Sequence, residues 1–315
     1  MRALLKLTLL AALAMLAVPA RAQTAYVITR TFTTPEGRLT ETYQFGTVSL
    51  QTGAYHLITT SKDFQYINSI GFGSDGKLYG LGSDRMFALG NEGKVGDEGI
   101  VGMASILVLR VYLIDTATGA FTIKKTYANV MVAGASADSH GVFTGLTIPY
   151  LRLSWRLFRL DPVTKVMRYG PQITGQGDGL VVADGRGNTY VGENDQLGYS
   201  NDVLAKIINP KTGAAVFVGR TGIGDVRTGL WAGGSLYAFG EHFREEGGED
   251  DRLGVYILNT STGTAKLVAL IPLPSSSTVN AAALAPAPAP RAVSHAGSRR
   301  RPDVPHYTPV RRLPN

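Results

Sequence analysis

Residues 111–125 read VYLIDTATGAFTIKK, two apolar, β-favouring runs around the turn Asp115-Thr-Ala-Thr-Gly119. Nearly the same phrase returns as LFRLDPVTKVMRY at 157–169, LAKIINPKTGAAVFV at 204–218 and VYILNTSTGTAKLVA at 255–269. A fifth copy, SLQTG, begins at Ser49. The turns therefore start at 49, 115, 161, 209 and 259, in steps of 66, 46, 48 and 50 residues. Regular spacing of this length marks a repeat architecture. The long first step holds an extra segment, GNEGKVGDEGIVGMAS, at 90–105.

Each turn has a physical reason. Asp or Asn at the first position accepts hydrogen bonds from backbone two residues on. Pro162 and Pro210, at the second, fit the fixed φ of a type I turn. Gly at the fifth takes the left-handed conformation that closes a hairpin with a bulge. Lys165 stands where the other copies have glycine, so its turn is expected to be the least ideal. On this chemistry Asp115 and Asp161 are turn caps, not catalytic acids.

A second element precedes four of the turns: INSIGFGSDGKLYGLGSD, VAGASADSHGVFTGL, GLVVADGRGNTYVGEND and RTGLWAGGSLYAFGEH. Each has a strand of small and apolar residues, a glycine turn, and a strand carrying Tyr79, Phe143, Tyr190 or Tyr237. One unit is then four strands: A, turn, B, variable loop, C, Asp-x-x-Thr-Gly turn, D. Helical periodicity is absent from the body of the chain.

Four short antiparallel strands at this period resemble the blades of secreted bacterial β-propeller repeat proteins, here of an Asp-x-x-Thr-Gly type. The resemblance covers residues 25–285 and implies an all-β ring with small residues crowded at its axis. Neither a Trp-Asp signature nor a kelch pattern is present. VNAAALAP at 279–286 reads as a lone strand A, and AYVITRTF, TYQFGTVSL and AYHLITT near the start read as B, C and D. Together they make one blade shared by both ends, which removes exposed sheet edges. The expected fold is a single five-bladed β-propeller of four-stranded antiparallel blades. A six-bladed ring is the alternative, should 85–110 hold degenerate strands.

Residues 1–22 have a basic start, an apolar stretch and an Ala20-Arg21-Ala22 site, and read as a secretory signal peptide. The apolar run is short for a membrane span, and no later stretch would cross a bilayer. The propeller domain is placed at 23–285, and 286–315 as a disordered Pro/Ala/Arg-rich tail. Export to the periplasm or beyond follows. Without cysteine, the core must supply the stability.

The formal charge of +7 comes from the two ends, which hold 9 of the 31 Lys and Arg and 1 of the 24 acids. The body is near neutral, which gives no case for nucleic acid as a partner. The tail, with Arg299-Arg300-Arg301 and Arg311-Arg312, has the charge to touch an anionic cell surface.

GFGSDG at 71–76 fits the spacing of a dinucleotide fingerprint, but a strand follows it where that site needs a helix. Of the five histidines, His56, His140, His242, His295 and His306, none forms a metal-ligand pair. No nucleophile elbow is visible. No cofactor is evident, although oxygen ligands for a divalent cation are possible.

The candidate site is on the face that carries the B–C loops. Five residues after the strand-B aromatics stand Asp84, Asp195 and His242, with Ile148 in the remaining copy. Glu193 and Glu241 lie beside them. Asn68, Asp178, Arg227 and Asn280 fall near the starts of strand A, where they should approach the axis from the same face. The opposite face, with Asp75-Gly76 and Asp184-Gly185, is expected to be inert. The leading functional reading is a module that binds a small molecule, glycan or protein at the loop face. The alternative is a hydrolase or lyase acting on a sugar or lactone, disfavoured because no catalytic signature is present.

Overall fold

The computed structural model describes residues 23–34, 39–87, 105–149, 155–173, 180–193, 203–242, 252–274 and 276–286. Residues 1–22, read above as a leader, residues 287–315 of the segment read as a tail, Asp178 and Asp195 lie outside them. At Asp84, Glu193 and His242 the backbone is described and the side chain is not.

The described residues start with β1 (Thr24–Thr33), β2 (Thr40–Ser49) and β3 (Tyr55–Thr60). A short 3-10 helix at Lys62–Tyr66, capped by Ser61, leads to the second sheet. That sheet is β4 (Ile67–Phe72), β5 (Leu78–Phe87), β6 (Ser105–Ile114) and β7 (Phe121–Ala128). The third is β8 (Val130–Ala137), β9 (Phe143–Pro149), β10 (Arg156–Asp161) and β11 (Val166–Gln172). The fourth is β12 (Val181–Ala183), β13 (Thr189–Glu193), β14 (Val203–Asn209) and β15 (Ala214–Arg220). The fifth is β16 (Gly224–Ala232), β17 (Ser235–His242), β18 (Arg252–Leu258) and β19 (Ala265–Leu270). The last strand, β20 (Ser277–Leu284), pairs with β1, so the first sheet has the order β20-β1-β2-β3.

This is a five-bladed β-propeller whose first blade is built from both ends of the described chain. The inner strands are β20, β4, β8, β12 and β16. β5 and β6 remain paired out to Phe87 and Ser105, so the insert joins strands B and C within blade two and adds no sixth blade.

Five apolar clusters bind the blades, one to each junction. Ile28 and Phe45 of blade one meet Ile67 and Tyr112 of blade two. Leu81 and Val111 meet Val132 and Phe158 of blade three. Leu146 and Leu157 meet Val181 and Ile207 of blade four. Val182 and Leu204 meet Leu236 and Tyr256 of blade five. Phe239 and Val255 return to Val27 and Val48. The side chains near the axis are small because neighbours leave no room. A Cβ added at Gly71 would lie 2.4 Å from the Cβ of Ala137 on the next inner strand, closer than packed carbons approach.

The repeated turns latch each blade to the one before it. Asp115 Oδ1 accepts the backbone N–H groups of Ala117 and Thr118, and Asp161, Asn209 and Asn259 cap their turns in the same way. The fifth residue then presses on strand D of the preceding blade. Gly53 has φ +69, and a Cβ there would lie 2.0 Å from the Leu270 carbonyl oxygen on β19. At Lys165 the backbone keeps the same left-handed form, with φ 61, and its carbonyl accepts the Tyr127 hydroxyl of β7 at 2.6 Å.

Candidate functional site

Strand A of a blade begins at the D–A connection, on the side where the B–C loops also lie. Near those beginnings the pairing of strands A and B slips. Ile67 faces Gly82 and Ser69 faces Leu81, which leaves Asn68 unpaired. Val132 faces Thr147 and Gly134 faces Leu146, which leaves Ala133 unpaired. In blade one Ile28 faces Ala281 and Thr29 faces Val279, which leaves out Asn280. In blade five the break lies between Gly224 and Thr228 and contains Arg227. A β-bulge re-aims the residue it frees from the ladder. Here four bulges at one level free four side chains toward one place.

That place is a cavity of about 210 Å³ at the end of the central channel, lined by Arg30, Tyr43, Gln65, Asn68, Ala133, Arg227 and Asn280. Asn68 donates from Nδ2 to the Val132 carbonyl oxygen at 3.4 Å, across to the next inner strand. Asn280 accepts the Thr278 hydroxyl on Oδ1 at 3.1 Å. Arg30 is held from behind. Its Nη2 donates to Glu41 Oε1 at 2.5 Å, and its guanidinium lies over the Phe32 ring at 4.1 Å. The Tyr43 hydroxyl donates to the other oxygen of Glu41 at 2.6 Å.

The electrostatics follow from these contacts. The hydrogen bond from Arg30, and then that from Tyr43, hold the Glu41 carboxyl below its ordinary range. Burial, and then the hydrogen bond to Glu41, push Tyr43 up to about 12, against the opposing pull of Arg30 and Arg227. Glu41 therefore stays ionised and Tyr43 stays protonated at neutral pH.

Of the residues singled out from sequence, the cavity brings together Asn68, Arg227 and Asn280. The backbones of Asp84, Glu193, Glu241 and His242 sit toward the loop ends of β5, β13 and β17, where they pair with Val108, Val203, Leu253 and Arg252. Arg30, Tyr43 and Gln65 escaped the sequence reading, because comparison of repeats finds equivalent positions and these belong to no repeated set. One signal pointed to Arg30: a charged residue in a strand otherwise buried along most of its length.

The other end of the channel is a wider funnel of about 690 Å³, lined by the ends of all five inner strands and the A–B turns. This is the face expected to be inert, and it carries the larger opening. Glycine and alanine make up ten of its 22 lining residues, with Phe72 and Trp231 among the larger ones. Its carboxylates are occupied. Asp138 accepts from the His140 and Val142 N–H groups and from Arg159. Asp184 accepts from the Arg186 and Asn188 N–H groups and from the Asn188 side chain. Among the described residues, no three His, Asp or Glu side chains come close enough to hold a metal ion.

Fold and cavity together define a five-bladed propeller with a polar pocket on its axis. No family model matches the chain, and no curated protein matches it. Solved structures do. TolB from Acinetobacter baumannii is 12% identical over 78% of this chain, with a TM-score of 0.40, and the chain spans 52% of its length. A chain of a nidogen–laminin complex is 10% identical over 84% of this chain and 98% of its own, with a TM-score of 0.45. An exo-β-1,3-galactanase from Phanerochaete chrysosporium, solved with galactose, is 11% identical over 76% of this chain and 62% of its own, with a TM-score of 0.44.

Proposed function

We propose that this chain is an exported binding module which takes a small polar ligand in the axial pocket at the loop face. The observation that carries this reading is the ring of bulges. Asn68, Arg227 and Asn280 leave their ladders at one level and line one cavity with Arg30 and Tyr43. Bulges cost ladder hydrogen bonds, and they are over-represented beside functional sites, where they re-aim a side chain. The leader-like residues 1–22 support export to the periplasm or beyond. In this reading Asp84, Glu193, Glu241 and His242, whose backbones stand at the loop ends of β5, β13 and β17, are further ligand candidates, and Asp178 and Asp195 are candidates from the sequence alone.

The test is a thermal-shift screen of the full chain against sugars, sugar acids and divalent cations, since a ligand that binds only the folded state raises its stability by mass action. Asn68→Ala combined with Asn280→Ala should abolish any ligand-induced rise while moving the ligand-free melt little. A ligand whose effect survives in that double variant places the site elsewhere.

A further inference from the structure

The pocket's lining is cationic in its side chains. It contains two guanidinium groups, Arg30 and Arg227, and among the described lining residues no carboxylate. Glu41 lies behind Arg30 and is committed to it and to Tyr43. The remaining polar groups are three amides, from Gln65, Asn68 and Asn280, and the Tyr43 phenol, whose proton is directed to Glu41. Glu41 answers Arg30 from behind, and an anion placed in the cavity would lie beside both guanidinium groups and gain from each. The cavity's 210 Å³ is below the roughly 300–1,000 Å³ usual for drug-sized ligands. One sugar ring or a smaller molecule fits that volume, and an oligosaccharide does not.

Resting on the reading of this cavity as the ligand site, we infer that the ligand is a small hydroxylated carboxylic acid, its carboxylate met by Arg30 and Arg227 and its hydroxyls by the amides. The guanidinium fork matches the two oxygens of a carboxylate. The Glu41 anchor keeps Arg30 in one orientation before the ligand arrives, so little side-chain freedom is lost on binding. Inorganic anions share the charge but not the hydroxyls.

A matched pair of probes tests this. D-Glucuronate and D-glucose share a ring and differ in a carboxylate against a hydroxymethyl group. Titration of the full chain should show saturable binding of glucuronate, weakened by added salt, and binding of glucose at least about tenfold weaker, as loss of a charge-assisted contact implies. Arg227→Gln should weaken glucuronate by a similar factor. Because Arg227 is exposed, this variant also avoids the Arg30–Glu41 pair on which folding can depend. Arg30→Lys, which keeps the charge and loses the fork, should weaken glucuronate as well, with its ligand-free melt recorded as the folding control. Sulfate binding as tightly as glucuronate overturns the carboxylate assignment. Equal binding of glucose and glucuronate, lost in the Asn68→Ala and Asn280→Ala double variant, overturns the anion inference and leaves the pocket standing. Binding that none of these substitutions changes overturns both, as does no response to any probe.

Discussion

Lys165 holds a left-handed backbone position that the other four repeats give to glycine. A side chain in that region crowds its own carbonyl. Lys165→Gly should therefore raise unfolding stability by about 0.5–1 kcal/mol, read from the urea midpoint. The converse change, Gly53→Ala, should cost about 2 kcal/mol or more, because it adds the strain of φ +69 to a clash with the Leu270 carbonyl. Both sites were legible in the sequence as turn positions. The clash was not, since the carbonyl comes from a different blade. Asp184 makes a third case. Burial works to raise its pKa from 3.8, but the Asn188 side chain and the backbone N–H groups of Arg186 and Asn188 together bring it below that value. A depressed folded pKa means stability that is full above the unfolded value and lost as pH falls through the folded one. The urea midpoint should fall as pH drops below about 4, and Asp184→Asn should make that fall shallower.

Among the elements, the strands were readable and their irregularities were not. Turn residues and the apolar, β-favouring runs beside them locate all four strands of a blade, because both signals lie within a few residues of each strand. A bulge shifts the pairing by one residue without changing the local composition, so nothing in INSIGF announces that Asn68 leaves the ladder. The same limit hid Arg30, whose partner Glu41 comes from the neighbouring strand. The short helix at Lys62–Tyr66 was also missed, since one 3-10 turn carries too few residues to show a period. The outer strands raise a separate matter. Each strand D is a sheet edge, and an edge without charge can recruit another chain. β7 carries Lys124 and Lys125, whereas β15 shows Phe217, 66% exposed, beside the exposed Val216. Phe217→Lys should change stability by no more than about 0.5 kcal/mol and should lower light scattering on heating. Unchanged scattering would clear β15 as the sticky edge.

The whole molecule depends on one closing strand. β20 is the inner strand of blade one, and its Val279, Ala281, Ala282 and Ala283 enter the clusters at both flanking junctions. Ending the chain after Pro274 removes those contacts from both junctions at once, so the shortened protein should lose its cooperative thermal transition. Ending it after Ala285 should leave the melting temperature where it was, because the residues beyond have no apolar period with which to pack. A fall of more than a few degrees in the second protein would show that the tail packs on the ring. These two cuts, close together in sequence, separate the strand that shuts the ring from the segment that follows it.

The shared blade also sets the order of events at synthesis. Thr31 and Ser277 bond through their hydroxyls at 2.8 Å although 246 residues separate them. At about 5–20 residues per second, roughly 10–50 s pass between the making of the first and the second. Throughout that interval β1 has no partner on its inner side, and the blade made first is the last to be finished. A newborn chain thus carries an open, strand-hungry edge until residues 277–284 have been made, and whatever escorts it must shield residues 24–33 in particular.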